Sequence, residues 1–147
     1  MQTRTAREWG QMQRPVDCPL CDPRREEGQH VVFETALCRF LQQDRDQDVL
    51  VGSGIIVPRS HRVTAFELTP VEWRDTQQLL VQAKEYIDER WHPDGYTLGW
   101  NVGVVSNQTI AHAHLHVVPR YADEPCAGKG LRYWLKSADN RRMQARG

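Results

Sequence analysis

Three of the six histidines in this chain stand at alternate positions of one short run, His112-Ala113-His114-Leu115-His116-Val117-Val118. A period of two is the side-chain period of a β-strand, so the run predicts a strand with all three imidazoles on one face. Ala111, Ala113, Leu115 and Val117 then point to the other face, which packs on a core. Each imidazole must also find a partner, a ligand or solvent. Three uses fit. His112 and His114 can converge on one metal ion, whereas all three cannot, because the outer two Cα atoms lie about 13 Å apart at ~3.3 Å per residue. The three can instead line an anion pocket as donors. Or one neutral imidazole attacks an electrophile while its neighbours bind metal or leaving group, which suits a side chain with an unperturbed pKa of ~6.5.

His112 to Val118 matches His-φ-His-φ-His-φ-φ, with φ apolar, at every position, flanked by Gln108-Thr109-Ile110 and Pro119-Arg120. In this the chain resembles the histidine triad (HIT) superfamily, with matching features from about Cys18 to Trp134. The resemblance implies an α+β domain, an antiparallel sheet of about five strands with one main helix, paired as a homodimer. It implies hydrolysis of a nucleoside phosphoramidate or a dinucleoside polyphosphate at the α-phosphorus. His114, the central residue, would be the nucleophile, forming a nucleotidyl-histidine, and His116 would donate to the phosphate or the bridging atom. Asn101, Gln108 and Thr109 resemble the family's phosphate-contacting residues. Asp46, among Asp44, Asp46 and Asp48, is the candidate for the acidic residue that binds the ribose hydroxyls. The related galactose-1-phosphate uridylyltransferases have the fold in duplicate and Gln in place of His116; this chain has no internal repeat and the full triple. Two other functions remain open: a non-catalytic nucleotide- or zinc-binding partner protein, and a metallohydrolase in which zinc activates water.

Cysteine spacing pairs Cys18 with Cys21 and leaves Cys38 and Cys126 single. In a reducing compartment a C-x-x-C is a redox couple or half of a zinc site. A redox couple wants a preceding strand and a helix N-terminus, but Val16-Asp17 and Asp22-Pro23 are turn-like flanks. Zinc fits better and needs two more ligands. In zinc-bearing members of the superfamily a C-x-x-C joins a His after an apolar strand and the first His of the triad. Carried over, the ligands of a structural zinc are Cys18, Cys21, His61 and His112. Cys38 is expected as a buried small hydrophobe and Cys126 as a loop thiol.

At 147 residues the chain is one domain. Nineteen basic and nineteen acidic residues cancel, so no global field marks nucleic acid or membrane as a partner. Residues 1–15 form a polar extension without a signal-like apolar core, and no apolar run approaches the ~20 residues of a membrane span; the expected location is cytoplasmic. The domain is expected over 16–135 and a disordered Arg-rich tail over 136–147. A short helix is expected at 3–13 and strands at 30–34 and 37–41, then a loop at 42–48. Residues 49–51 and 55–57 look like one strand interrupted by Gly52-Ser53-Gly54, where a bulge or a close backbone approach is expected; the Gly-Ser-Gly is also a phosphate-loop signal, against the plainer reading of local flexibility. Thr69-Pro70-Val71-Glu72 starts a helix running to Trp91, with an apolar stripe of Val71, Leu79, Leu80, Ala83, Tyr86 and Ile87. A strand over 96–105 should lead into the histidine strand.

Overall fold

Alternating apolar and polar residues build a meander of short strands: β1 (Gln29–Glu34), β2 (Cys38–Gln43), β3 (Gly54–Pro58), β4 (Gly95–Trp100) and β5 (Leu115–Arg120). They form one antiparallel sheet in the order β1-β2-β3-β5-β4. One long helix among the described residues, α1 (Pro70–Trp91), connects β3 to β4. The computed structural model describes residues 15–143, so the helix expected at 3–13 lies outside the described residues. No helix among the described residues is long and apolar enough to cross a membrane.

Cross-strand partners share a face, so the register divides the sheet. Leu41, Ile55, His116 and Gly99 are successive partners and project to one side. Phe40, Ile56, Leu115 and Trp100 are partners on the other side, and α1 covers that side. Leu79, Ala83 and Ile87 of α1 pack there against Cys38, Phe40, Ile56, Leu115 and Val117, all buried. Full burial of a Leu or Ile contributes about 1.5–3 kcal/mol, so this seam holds the helix to the sheet. On the His116 face a smaller cluster joins Cys18 and Leu20 to Leu41 and Val57. The N-terminal turn is thus fixed on the side where the histidines project.

The helix start follows the sequence. Thr69 caps α1 with a reciprocal pair of bonds: its hydroxyl accepts from the Glu72 N–H, and the Glu72 carboxylate accepts from the Thr69 N–H. The apolar stripe is corrected in its first turn. Val71 is exposed, and Glu72 and Thr76 are buried in its place, because Glu72 is held by the cap and by Arg62.

Further expectations change. Residues 49–51 are a turn, not a strand, and only Gly54–Pro58 extends. The Gly-Ser-Gly segment is held rather than flexible: the Gln47 amide accepts from the Gly52 N–H and Gln42 donates to its carbonyl. A Cβ on Gly54 would lie 2.4 Å from the Phe40 ring, so this is a close backbone approach. β4 stops at Trp100 because Gly103, at φ 84, turns the chain into a short 3-10 segment, Val104–Ser106. β5 begins only at Leu115, leaving His112 and His114 in an irregular stretch before it. Beyond Tyr121 the chain runs in turns, with an exposed 3-10 segment, Ala138–Asn140, inside the expected tail.

Candidate active site and metal centre

The stretch that carries the histidines is shaped by bonds to its backbone. The Ala113 N–H donates to the Arg62 carbonyl at 2.6 Å. Gln108, almost wholly buried, donates to the Val63 and Ile110 carbonyls and accepts from the Gly103 N–H. The chain is thereby tied to the segment after β3 and cannot follow a regular strand until Leu115.

His112 turns into the N-terminal turn. Its Nδ1 lies 3.4 Å from Cys18 Sγ and 3.6 Å from Cys21 Sγ. His61 Nδ1 lies 3.2 Å from Cys21 Sγ. One ligand atom from each of the four residues falls within 4.8 Å of all the others. Tetrahedral zinc with sulfur at ~2.3 Å and nitrogen at ~2.05 Å has a sulfur–nitrogen edge of about 3.6 Å, close to the separations seen. His112 Nε2 donates to the Pro58 carbonyl at 2.7 Å. That bond leaves Nδ1 as the lone-pair nitrogen facing the thiols, the outer-shell arrangement of a ligating histidine. Burial pushes the Cys21 thiol up to about 12, with Cys18 beside it as the next cause, and lowers His112 to about 4. Such a thiol loses its proton readily only to a cation held beside it. The residues fit a metal, and Cys18, Cys21, His61 and His112 could bind one. All four cysteines are free thiols; Cys38 is buried and Cys126 exposed.

His114 turns the other way. Its Nδ1–H donates to the His112 carbonyl at 2.8 Å, which leaves Nε2 unprotonated in the neutral ring. The ring is 7% exposed and lines a cavity of about 480 Å³. His116 lies beside it, ring centroids 4.9 Å apart, and the Asn101 amide approaches His116 Nε2 at 3.5 Å. Burial lowers His116 to about 4, with His114 as a further cause, and lowers His114 as well, against the bond to the His112 carbonyl. Both rings are therefore neutral near pH 7, as a nucleophile requires.

Of the residues expected from sequence, His114, His116, Thr109 and Asp46 line the cavity, and Asn101 reaches it through His116. Gln108 is not among the lining residues; its side-chain amide bonds the loop backbone beside the cavity. Leu50 and Arg45 line the cavity without having been singled out, and Ser53 of the Gly-Ser-Gly segment lines it too. Leu50 was hidden in a segment read as strand, and Arg45 in an acidic run read as solvated loop.

Residues 24–123 match the family model of the HIT domain, and the chain belongs to the HIT domain family. Cys18 and Cys21 lie just ahead of the match. An uncharacterized HIT-like protein of Mycoplasma genitalium is 25% identical over 96 residues, covering 63% of each chain. The bis(5'-adenosyl)-triphosphatase of Dictyostelium discoideum is 33% identical over 72 residues, covering 49% of this chain and 45% of its own length. The chain thus spans less than two thirds of these curated relatives. A HIT family protein from Bacillus anthracis superposes with a TM-score of 0.62 at 27% identity, covering 74% of each chain. A Zn-bound histidine triad family protein from Mycobacterium smegmatis gives 0.63 at 21%, covering 76% of this chain and 81% of its own.

Proposed function

We propose that this protein is a nucleotide hydrolase that cleaves a nucleoside phosphoramidate or dinucleoside polyphosphate at the α-phosphorus through a nucleotidyl-His114 intermediate. One observation carries the reading. The main-chain carbonyl of His112 takes the Nδ1 proton of His114, so the nitrogen with the free lone pair belongs to a buried ring on the cavity wall. Among the relatives, one is named for a dinucleoside triphosphatase activity and another is the adenosine 5'-monophosphoramidase hnt1 of Schizosaccharomyces pombe, which supports the same class.

In the first step Nε2 of His114 bonds to phosphorus as the bond from phosphorus to the leaving nitrogen or oxygen breaks. His116 donates to the phosphate or the bridging atom, and an anion in the cavity favours protonation of that otherwise neutral ring. In the second step water adds to phosphorus, the P–N bond breaks, and the nucleoside monophosphate leaves with His114 restored. Thr109 and Asn101 contact the phosphate, and Asp46 the ribose hydroxyls. Zinc suits the Cys18, Cys21, His61 and His112 donor set; when bound it neutralises the thiolates and fixes this corner of the fold. Four protein ligands leave it no open position, which argues against water activated on the metal. A cytoplasmic location would keep these thiols reduced. Pairing as a homodimer is part of this proposal, with the exposed Trp73, edge to face on Trp100, as a candidate contact; the sedimentation coefficient of the protein distinguishes dimer from monomer.

The test is trapping. Brief mixing with a substrate labelled at the α-phosphate should leave acid-labile, base-stable label on the protein, absent from His114→Asn. His114→Asn should still fold and bind nucleotide while turnover falls by several powers of ten. Binding without label or turnover would make the protein a binding module.

A further inference from the structure

We infer that the β2–β3 end of the catalytic cavity selects guanine, with Arg45 reading the O6/N7 edge of the base, so that the substrate is a guanosine nucleotide rather than an adenosine one. The inference rests on the hydrolase reading above and narrows it to a base. Leu41, Ile55 and His116 are successive cross-strand partners, which sets Leu41 two strand spacings, about 10 Å, from His116 on the same face. With phosphorus at His114, a nucleoside laid along this row brings its base to Leu41 and Leu50. Gln43 follows Leu41 by two positions, so its side chain leaves the same face, and it lines the cavity with Arg45 and Ser53.

The polar groups at this end have fixed roles. Gln29 Nε2 donates to the carbonyls of Pro19 and Pro23, so its Oε1 accepts, and Gln43 Nε2 donates to it at 2.8 Å. With its nitrogen turned to Gln29, Gln43 offers the cavity its oxygen, an acceptor. Ser53 is 5% exposed. Its N–H donates to the Leu50 carbonyl and its carbonyl accepts from Gln47, while its hydroxyl has no hydrogen-bond partner among the described residues. A buried hydroxyl on a cavity wall is left for a ligand. Arg45 is set by the turn after β2. There the Asp44 N–H donates to the Gly28 carbonyl, and the Asp44 carboxylate bonds His30 Nε2 at 2.8 Å. Asp44 is thus taken, and the Arg45 guanidinium has no carboxylate partner among the described residues. Among the described residues that line the cavity, Arg45 is the one permanent cation.

A guanidinium donates and never accepts. Guanine shows two acceptors side by side, O6 and N7, which two guanidinium N–H groups meet as a pair. Adenine shows N7 beside an amino group, whose hydrogen would be aimed at the hydrogens of Arg45. Guanine also carries an N2 amine that adenine lacks, and the Gln43 oxygen and the Ser53 hydroxyl are acceptors for it. Leu41, Leu50 and Ile55 offer apolar contact to the flat faces of either purine. Affinity for the ring is therefore shared, and the choice between the two purines falls to the polar groups.

The experiment measures kcat/KM for the guanosine and adenosine forms of the 5'-phosphoramidate and of the dinucleoside tetraphosphate, in the wild type, Arg45→Ala and Arg45→Gln. The wild type should favour guanosine about tenfold or more, with inosine 5'-phosphoramidate in between, since inosine keeps the O6/N7 edge and lacks the N2 amine. The guanosine-to-adenosine ratio should fall to near one in Arg45→Ala. It should fall further in Arg45→Gln, whose amide matches the N6/N7 edge of adenine. A wild type that treats the two bases alike, or favours adenosine, overturns the inference and leaves the hydrolase reading intact. A guanosine preference retained in Arg45→Ala or Arg45→Gln does the same. If the wild type turns over none of these compounds, the hydrolase reading fails. Calorimetric binding of guanosine and adenosine 5'-monophosphates then decides the base: tighter guanosine binding that Arg45→Ala abolishes supports the inference, and equal binding overturns it.

Discussion

Glu72 links the start of α1 to the histidine stretch, and its replacement by Gln and by Ala should separate two contributions. The carboxylate is 4% exposed and accepts from the Thr69 N–H at 2.8 Å and from Arg62 Nε at 3.0 Å. Gln keeps an oxygen for the cap and loses the charge. Arg62 is 34% exposed, so solvent screens the pair, and the loss is about 1 kcal/mol rather than the 3–5 of a fully buried pair. Ala removes the acceptor of the Thr69 N–H as well, another ~1–2 kcal/mol. Its total is about 2–3 kcal/mol. Urea unfolding with an unchanged slope measures both.

The pH dependence has a definite sign. Burial acts to raise the Glu72 pKa, but the bonds from Thr69 and the Arg62 guanidinium outweigh it and hold the carboxyl below its ordinary 4.5. A depressed folded-state pKa gives stability that is present above the unfolded value and lost as pH falls through the folded value. The cost of Glu72→Gln should therefore be full at pH 7 and shrink below about 4.5. Arg62 also offers its carbonyl to the Ala113 N–H between His112 and His114, so Glu72→Ala should slow turnover of the folded enzyme several-fold more than Glu72→Gln. Equal costs for Gln and Ala, or a Gln cost unchanged between pH 7 and pH 3, would refute this reasoning.

Cys18→Ser should release a metal found at about one zinc per chain in the purified protein, measured by elemental analysis, and should lower thermal stability more than it slows chemistry per folded molecule. Asp46→Ala should raise KM for ribonucleotide substrates about tenfold, the loss of one or two hydrogen bonds to a charged group, while KM for 2',3'-dideoxy analogues stays put. Gln108→Ala should cost about 2–4 kcal/mol in urea unfolding, because it strands the Gly103 N–H and two carbonyls. A Gln108→Ala protein of unchanged stability but raised KM would return Gln108 to the substrate.

Sequence carried most where periodicity and chemistry coincide. Thr69, Pro70 and Glu72 state a helix start locally, and the capping box is where they put it. The four residues that could hold a metal are far apart in the chain, Cys18 and His112 by 94 positions, yet chemical type and family resemblance named them together. What stayed hidden depends on the third dimension. Alternation over 111–117 extends the strand back through His112, but the strand fails there because Ala113 bonds the Arg62 carbonyl instead of a ladder partner. Val49, Leu50 and Val51 have strand composition and form a turn, since the Gln47 side chain closes onto Gly52. Arg45 is invisible among Asp44, Asp46 and Asp48 until the turn folds it against the cavity.

His112 serves both halves of the site with different atoms. Its ring sits among the thiols, and its carbonyl fixes the tautomer of His114. No side-chain substitution at position 114 or 116 can replace that carbonyl, so the lone pair of His114 depends on the path of the backbone. That path is set by the Ala113–Arg62 bond, by the bonds of Gln108 and by the seat of the His112 ring against Pro58. In the proposed mechanism the nucleophile is consequently oriented by groups outside the cavity lining. Substitutions at Arg62, Glu72 or Gln108 are thus expected to act on turnover through His114 while the proposed nucleotide contacts at Asp46 and Thr109 stay in place, so that kcat falls with little change in KM.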